Sequence, residues 1–334
     1  MNKNDVKKRK KQRKILLAII MILFTVIVLT ARTYAWFTAN QTVTVEQIDV
    51  NVAASNGLQI SVDGLNWKPY ITKADITGAS LTYGGAVNQV PSSMVPVSTA
   101  GNTDSQTGFM NMYKGEIVQG SAAVGGANIL TATQSVEVNT TTSGDFVAFD
   151  LFFQLTEGKQ IYLTSNSSVA AKGTSKGIEN AARVAFILEG NTPNGSAQDT
   201  IQGMKTPGTP IIWEPNYDTH TEAAVNNASS VYGKTISTTS GLVAYHGVHA
   251  PIASSDEQLL NSTNASFFTP VTPAITTTKA GISEDAYEDV FTLSAGITKV
   301  RIYMWIEGQD VDCENDASGS DLSYNLQFSI LDKA

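Results

Sequence analysis

The stretch Val300–Ile330, VRIYMWIEGQDVDCENDASGSDLSYNLQFSI, decides the fold class. Apolar residues recur at every second position on both sides of an acidic centre. Val300, Ile302, Met304 and Ile306 share one face of the first arm. Leu322, Tyr324, Leu326, Phe328 and Ile330 share one face of the second, with Ser323, Asn325, Gln327 and Ser329 opposite. A period of two places alternate side chains on opposite faces of a strand, so each arm is a strand with one buried face. The loop Gln309–Asp321 is expected to join them as antiparallel neighbours.

The same pattern extends outward. LQISVDG alternates through Leu58, Ile60 and Val62 and turns at Asp63-Gly64. DFVAFDLFFQL and ARVAFILEG are nearly continuous in apolar residues, as in strands buried on both faces. In TVTVEQIDVNVAA the apolar phase moves from Val43 and Val45 to Ile48, Val50 and Val52, which predicts a β-bulge or a change of partner. Residues 78–145 and 190–280 are rich in Thr, Ser, Gly and Asn and exceed hairpin-loop lengths, so they are expected as insertions or a small second lobe. KGIENAARV offers one short helix. The expected class is all-β, a jelly-roll-like β-sandwich with long insertions.

Candidate chemistry is sparse. Asp310, Asp312, Glu314, Asp316 and Asp321 fall at positions 1, 3, 5, 7 and 12 of an oxygen-rich loop, the spacing of a calcium loop. Asn315 stands where such loops turn on glycine, Asp321 is shorter than the usual final Glu, and strands flank the loop. A solvated acidic turn is the alternative. The acidic run SEDAYED, with Glu284, Asp285, Glu288 and Asp289, reads as solvated surface. His220, His246 and His249 are the three histidines; no HExxH occurs, and a zinc site built from them competes with scattered surface positions. GTSKG, Gly173–Gly177, matches a nucleophile-elbow pattern formally but lacks the strand before it and the helix after it. Trp67, Trp213 and Trp305 are candidates for stacking on sugars or for core packing. No catalytic set emerges.

Charge is distributed unevenly. The 334 residues carry 22 Lys and Arg against 30 Asp and Glu. Nine of the basic residues and one acid lie in residues 1–35, which leaves 13 basic and 29 acidic residues and a net charge of −16 beyond them. So acidic a body is repelled by nucleic acid and by anionic lipid. The basic run KKRKKQRK is followed by ILLAIIMILFTVIVLT, the pattern of an export signal. Thr33 at −3 and Ala35 at −1 place the cut before Trp36 and give a signal peptide over 1–35 and an extracellular domain over 36–334. The alternative is an uncleaved anchor, since the apolar run Ile15–Ala31 has 17 residues, at the lower limit of the about 17–25 that span a bilayer. Either way the positive flank keeps the N-terminus inside and the body outside. FSILDKA, the other end of the sequence, is not expected to supply an anchor. Cys313 is the only cysteine, so no intramolecular disulfide supports the exported body.

The leader and the TYAWFTAN boundary resemble the export signals of SipW-dependent proteins of Gram-positive bacteria, the TasA/camelysin-like group. Thr33-Tyr34-Ala35 matches the boundary and Trp36-Phe37-Thr38 the mature start. The arms around Val300–Ile330 resemble the closing hairpin of exported proteins with the same leader. The resemblance implies a jelly-roll sandwich, a cell-surface or biofilm-matrix location and, in fibre-forming members, donation of the N-terminal strand to the next subunit. The donor here would be Gln41–Ala54, with Val43, Val45, Ile48, Val50 and Val52 as its apolar residues. The His/Glu cluster of a metalloprotease is missing from the sequence. The resulting expectation is a non-enzymatic structural protein. Its partners would be copies of itself or other envelope and matrix components, with signal peptidase during export, and calcium the one candidate cofactor. An exported adhesin or carbohydrate-binding module is the alternative, and an extracellular hydrolase a third.

Overall fold

A computed structural model describes residues 42–53, 57–241, 245–260, 262–317 and 319–331. The leader, and with it Thr33, Ala35 and Trp36, lies outside the described residues.

The chain is predominantly β, built around two sheets packed face to face. The front sheet holds β1 (Val43–Val52), β3 (Tyr70–Thr72), β4 (Ser93–Met94), β9 (Lys159–Leu163), β10 (Ser168–Ala171), β16 (Glu288–Leu293) and β18 (Asp321–Ser329). The middle sheet holds β2 (Gln59–Ser61), β8 (Val147–Leu155), β11 (Ala182–Thr192), β12 (Ile211–Pro215), β15 (Ile275–Thr277) and β17 (Gly296–Ile306), in the order β15-β12-β11-β17-β8-β2. Their shared core is aromatic. Phe328 of the front sheet meets Phe153 edge-on at 5.1 Å and Phe186 at 5.9 Å, both from the middle sheet. Such edge-to-face contacts suit the ring quadrupoles and add to the area removed from water.

The alternation around Val300–Ile330 holds, but the expected pairing does not. β17 lies between β11 and β8 in the middle sheet, whereas β18 lies in the front sheet beside β1, β9 and β10. Their apolar faces oppose each other across one core, and the acidic loop is a crossover between sheets. Alternation reports which face is buried and is silent on which strand sits alongside.

β1 runs parallel to β18 from Thr44↔Asp321 to Val52↔Phe328, with its register shifting between Val45 and Gln47. That shift is the bulge expected from the sequence, and it returns Ile48 and Val50 to the core face. On its other side β1 pairs antiparallel with β3 and β4. Val43, Val45, Ile48 and Val50 are fully buried.

The two segments expected as insertions are partly sheet strands, since β4 of the first belongs to the front sheet and β12 and β15 of the second to the middle sheet. Their remaining strands form a further layer on the outer face of the middle sheet. Residues 78–145 include β5 (Val97–Ser98), β6 (Met112–Gln119) and β7 (Asn128–Ser135), which make a three-stranded sheet. Residues 190–280 include the pair β13 (Tyr245–Val248) and β14 (Phe268–Val271). Tyr303 and Trp305 pack there with Val97, Met112, Phe146, Tyr245 and Val271. The approach is close: a Cβ on Gly247 would lie 2.0 Å from the Thr99 carbonyl oxygen. All eleven residues of β17 are consequently buried.

KGIENAARV supplies only a 3-10 turn, Ile178–Asn180, before β11 begins. A helix over Glu222–Tyr232 was not foreseen. Its Thr221 hydroxyl caps the Ala224 N–H, Gly233 ends it in the left-handed region, and Ala224, Asn227, Ala228 and Val231 face inward. No helix among the described residues is long and apolar enough to cross a membrane.

Candidate functional site

On β17 the residues between the core-facing ones are Lys299, Arg301, Tyr303 and Trp305, followed by Glu307. They project from the middle sheet into the insertion layer, where burial forces every charge to find a partner. Two ionic clusters result.

The first opens onto a cavity of about 380 Å³ lined by Tyr83, Phe109, Asp150, Glu189, Lys299 and Arg301, among others. Lys299 Nζ lies 3.1 Å from Asp150 Oδ2 and 2.8 Å from Glu189 Oε2, and donates to the Met204 carbonyl at 3.0 Å. Arg301 Nη1 donates to Asp150 Oδ1 at 2.5 Å, its Nη2 pairs with Glu137, and its guanidinium sits 4.7 Å above the Phe109 ring. The Tyr83 hydroxyl lies 2.9 Å from Asp150 Oδ2 and equally close to the Gln202 carbonyl, so its one proton serves either acceptor. Burial pushes the Glu189 carboxyl up to about 7, aided by the Asp150 charge and opposed by Lys299. Burial also raises Asp150 against the pull of Lys299. Burial alone would lower Lys299, but the two carboxylates outweigh it and hold the ammonium protonated.

The second cluster locks the crossover. Arg183 Nη2 contacts Glu214 Oε1 at 2.6 Å and also pairs with Asp310. His220 Nδ1 lies 2.7 Å from Asp312 Oδ2. The Asn227 amide donates to the Val311 carbonyl at 2.9 Å, so the helix Glu222–Tyr232 also clamps this loop. Burial raises Glu214 to about 8, and Glu307 and Asp312 to about 7. His220 is raised as well: burial would lower it, but the Asp312 contact prevails. The Cys313 thiol is buried and its pKa is pushed well up, so it is poorly disposed to form thiolate.

Among the described side chains, the proposed calcium ligands form no group of three around a common point. Asp310 serves Arg183, Asp312 serves His220, Glu314 is buried, and Asp321 is exposed at the start of β18. The Asp316 side chain lies outside the described residues. No group of three or more His, Cys, Asp or Glu among the described residues is placed to hold a metal ion. The histidines are dispersed, His246 lying on β13 and His249 Nδ1 sitting 2.8 Å from Thr269 Oγ1. Gly173–Gly177 is a bend between β10 and the 3-10 turn, with the Ser175 hydroxyl bonded to Glu179. Trp213 and Trp305 are fully buried, the first donating to Thr277 Oγ1 and the second to Glu307 Oε2. That leaves only Trp67 of the three within reach of a sugar.

No local sequence pattern brings the members of either ionic cluster together. The available signal was a charge inside a strand buried on both faces: Asp150 in VAFDLFF, Arg183 and Glu189 in ARVAFILEG, Lys299 and Arg301 in TKVRIYMW. A charge at such a position needs a buried partner. Compared with protein-family models, curated proteins and solved structures, the chain matches none.

Proposed function

We propose that the protein is a non-enzymatic exported structural component of a cell surface or biofilm matrix, with a jelly-roll-like body that polymerises by exchange of its N-terminal strand. The leader pattern supports export, and the acidic body suits life outside the cell without nucleic-acid partners. The observation that carries the proposal is the setting of β1. It enters the middle of the front sheet, parallel to β18 and antiparallel to β3 and β4, and contributes four fully buried side chains. Without it the sheet would be open between β18 and β3, a slot complementary to the β1 of another copy. The parallel β1–β18 pair joins strands distant in sequence, so no tight hairpin holds β1 in its own subunit.

Electron microscopy of the exported protein tests this. Filaments are expected from the intact chain and none from a chain lacking residues 36–54. Unchanged filaments from the truncated, folded chain would refute strand exchange. The cavity beside Lys299 favours a second function, an adhesin or carbohydrate-binding module. Saturable glycan binding without filaments would select it.

A further inference from the structure

The ionic cluster at the cavity contains more chemistry than strand exchange requires. Lys299 sits on β17, Asp150 on the neighbouring β8 and Glu189 on β11 at the other side. Arg301 is opposite Asp150, so Lys299 lies two positions along the same face, within diagonal reach. The register of β11 shifts between Leu188 and Gly190, and Glu189 is the extra residue, delivered beside Lys299. All three side chains are more than nine-tenths buried. The ammonium nitrogen thus touches two carboxylates, at 3.1 Å and 2.8 Å, and these differ in surroundings. Both Asp150 oxygens are engaged, Oδ1 by Arg301 and Oδ2 by Lys299 and Tyr83. Glu189 Oε2 has no hydrogen bond of good geometry, and Lys299 is its ion-pair partner.

We propose that Lys299 and Asp150 form an intramolecular amide bond, with Glu189 carrying the protons between them. Glu189 takes a proton from the Lys299 ammonium, and the freed Nζ lone pair attacks Asp150 Cγ to form the C–N bond. Negative charge on the tetrahedral intermediate gathers on Oδ1, where Arg301 Nη1 already donates. The bond from Cγ to Oδ2 breaks and Oδ2 leaves as water. Of the three protons on the ammonium, two reach Oδ2 through Glu189 and the third stays on the amide nitrogen. Atoms and charge balance with no oxidant or added reactant, and the adjoining cavity receives the water. Contact at hydrogen-bond distance supplies the effective concentration that a condensation in water lacks. Burial favours the reaction further, because it replaces an ion pair whose desolvation is costly with a neutral amide. Burial likewise favours neutral Asp150, so the first of the two protons that Glu189 carries rests on Oδ2 when Nζ attacks and the second completes the water. Burial also brings Glu189 near the pKa of a useful proton carrier. With Cys313 as the only cysteine, such a bond is a covalent staple available where a disulfide is not.

Intact-mass measurement and peptide mapping of the full exported chain test the proposal independently of filament formation. The expected mass is that of the mature sequence less one water, with one linked peptide pair carrying Lys299 and Asp150. Lys299→Arg and Glu189→Gln are expected at full mass. Asp150→Asn separates chemistry from packing: attack at the same carbon expels ammonia, so the loss changes from one water to one ammonia. A folded wild-type chain at full sequence mass overturns the proposal. A link mapped to Glu189 instead overturns the assignment of Asp150 as the acceptor.

Discussion

Arg183 holds the crossover by neutralising two carboxylates that have no access to water. Replacing it with Met keeps most of the volume but strands Glu214 and Asp310, and breaking a buried pair in this way costs ~3–5 kcal/mol. Arg183→Met is therefore expected to lower the urea midpoint strongly at pH 8, and less at pH 5, where Glu214 is protonated. The wild type should show a pH dependence of the same sign. Glu214, Glu307, Asp312 and Glu189 have folded pKa values of about 7 to 8, above their unfolded values. A carboxyl raised by folding contributes stability that is complete below its unfolded pKa and lost as pH rises through the folded one. His220, also raised, loses its contribution in the same direction. Asp63 has the opposite sign: backbone and side-chain hydrogen bonds from Asn66, Thr82 and Leu65 outweigh its burial and lower its pKa, so its contribution fades in strong acid. The melting temperature is expected to fall between pH 5 and pH 8; a rise over that interval would show that the clusters are ionised without penalty. At this scale the sequence was least informative. Asp150, Arg183 and Lys299 are visible as charges, but their partners lie on strands whose order no local pattern specifies.

At the scale of elements, strands were legible and their neighbours were not. The phase change in TVTVEQIDVNVAA foretold the bulge of β1, because a bulge is a local event that resets which side chains face inward. The crossover was misjudged because an acidic, Asn- and Asp-rich segment looks the same whether it turns a hairpin or carries the chain between sheets. The spacing of its acids suits calcium, whereas Asp310 and Asp312 answer cations of the protein. Millimolar calcium is accordingly expected to leave the melting temperature unchanged. A rise of several degrees that Asp321→Ala abolishes would restore calcium to the loop. The helix Glu222–Tyr232 was hidden for a related reason. Its Thr, Asn and Ser content resembles a loop, and it is stabilised by caps and by contact with the crossover rather than by intrinsic propensity.

For the molecule as a whole, the sandwich followed from alternation, whereas the third layer did not. Residues 78–145 and 190–280 are polar enough to suggest decoration, yet together they bury the outer face of the middle sheet and enclose its charges. The front sheet bears the proposed function. β1 is its most central long strand apart from β18, and the two pair with Asn51 opposite Gln327. That pair offers the most direct test of polymerisation by strand exchange. Chains carrying Asn51→Cys alone and chains carrying Gln327→Cys alone would be mixed in equal amounts, assembled and oxidised. If β1 fills the sheet of a neighbouring subunit, the two variants become linked by a disulfide between chains. If β1 remains in its own subunit, the mixture stays unlinked, while the double variant closes its disulfide within a single chain.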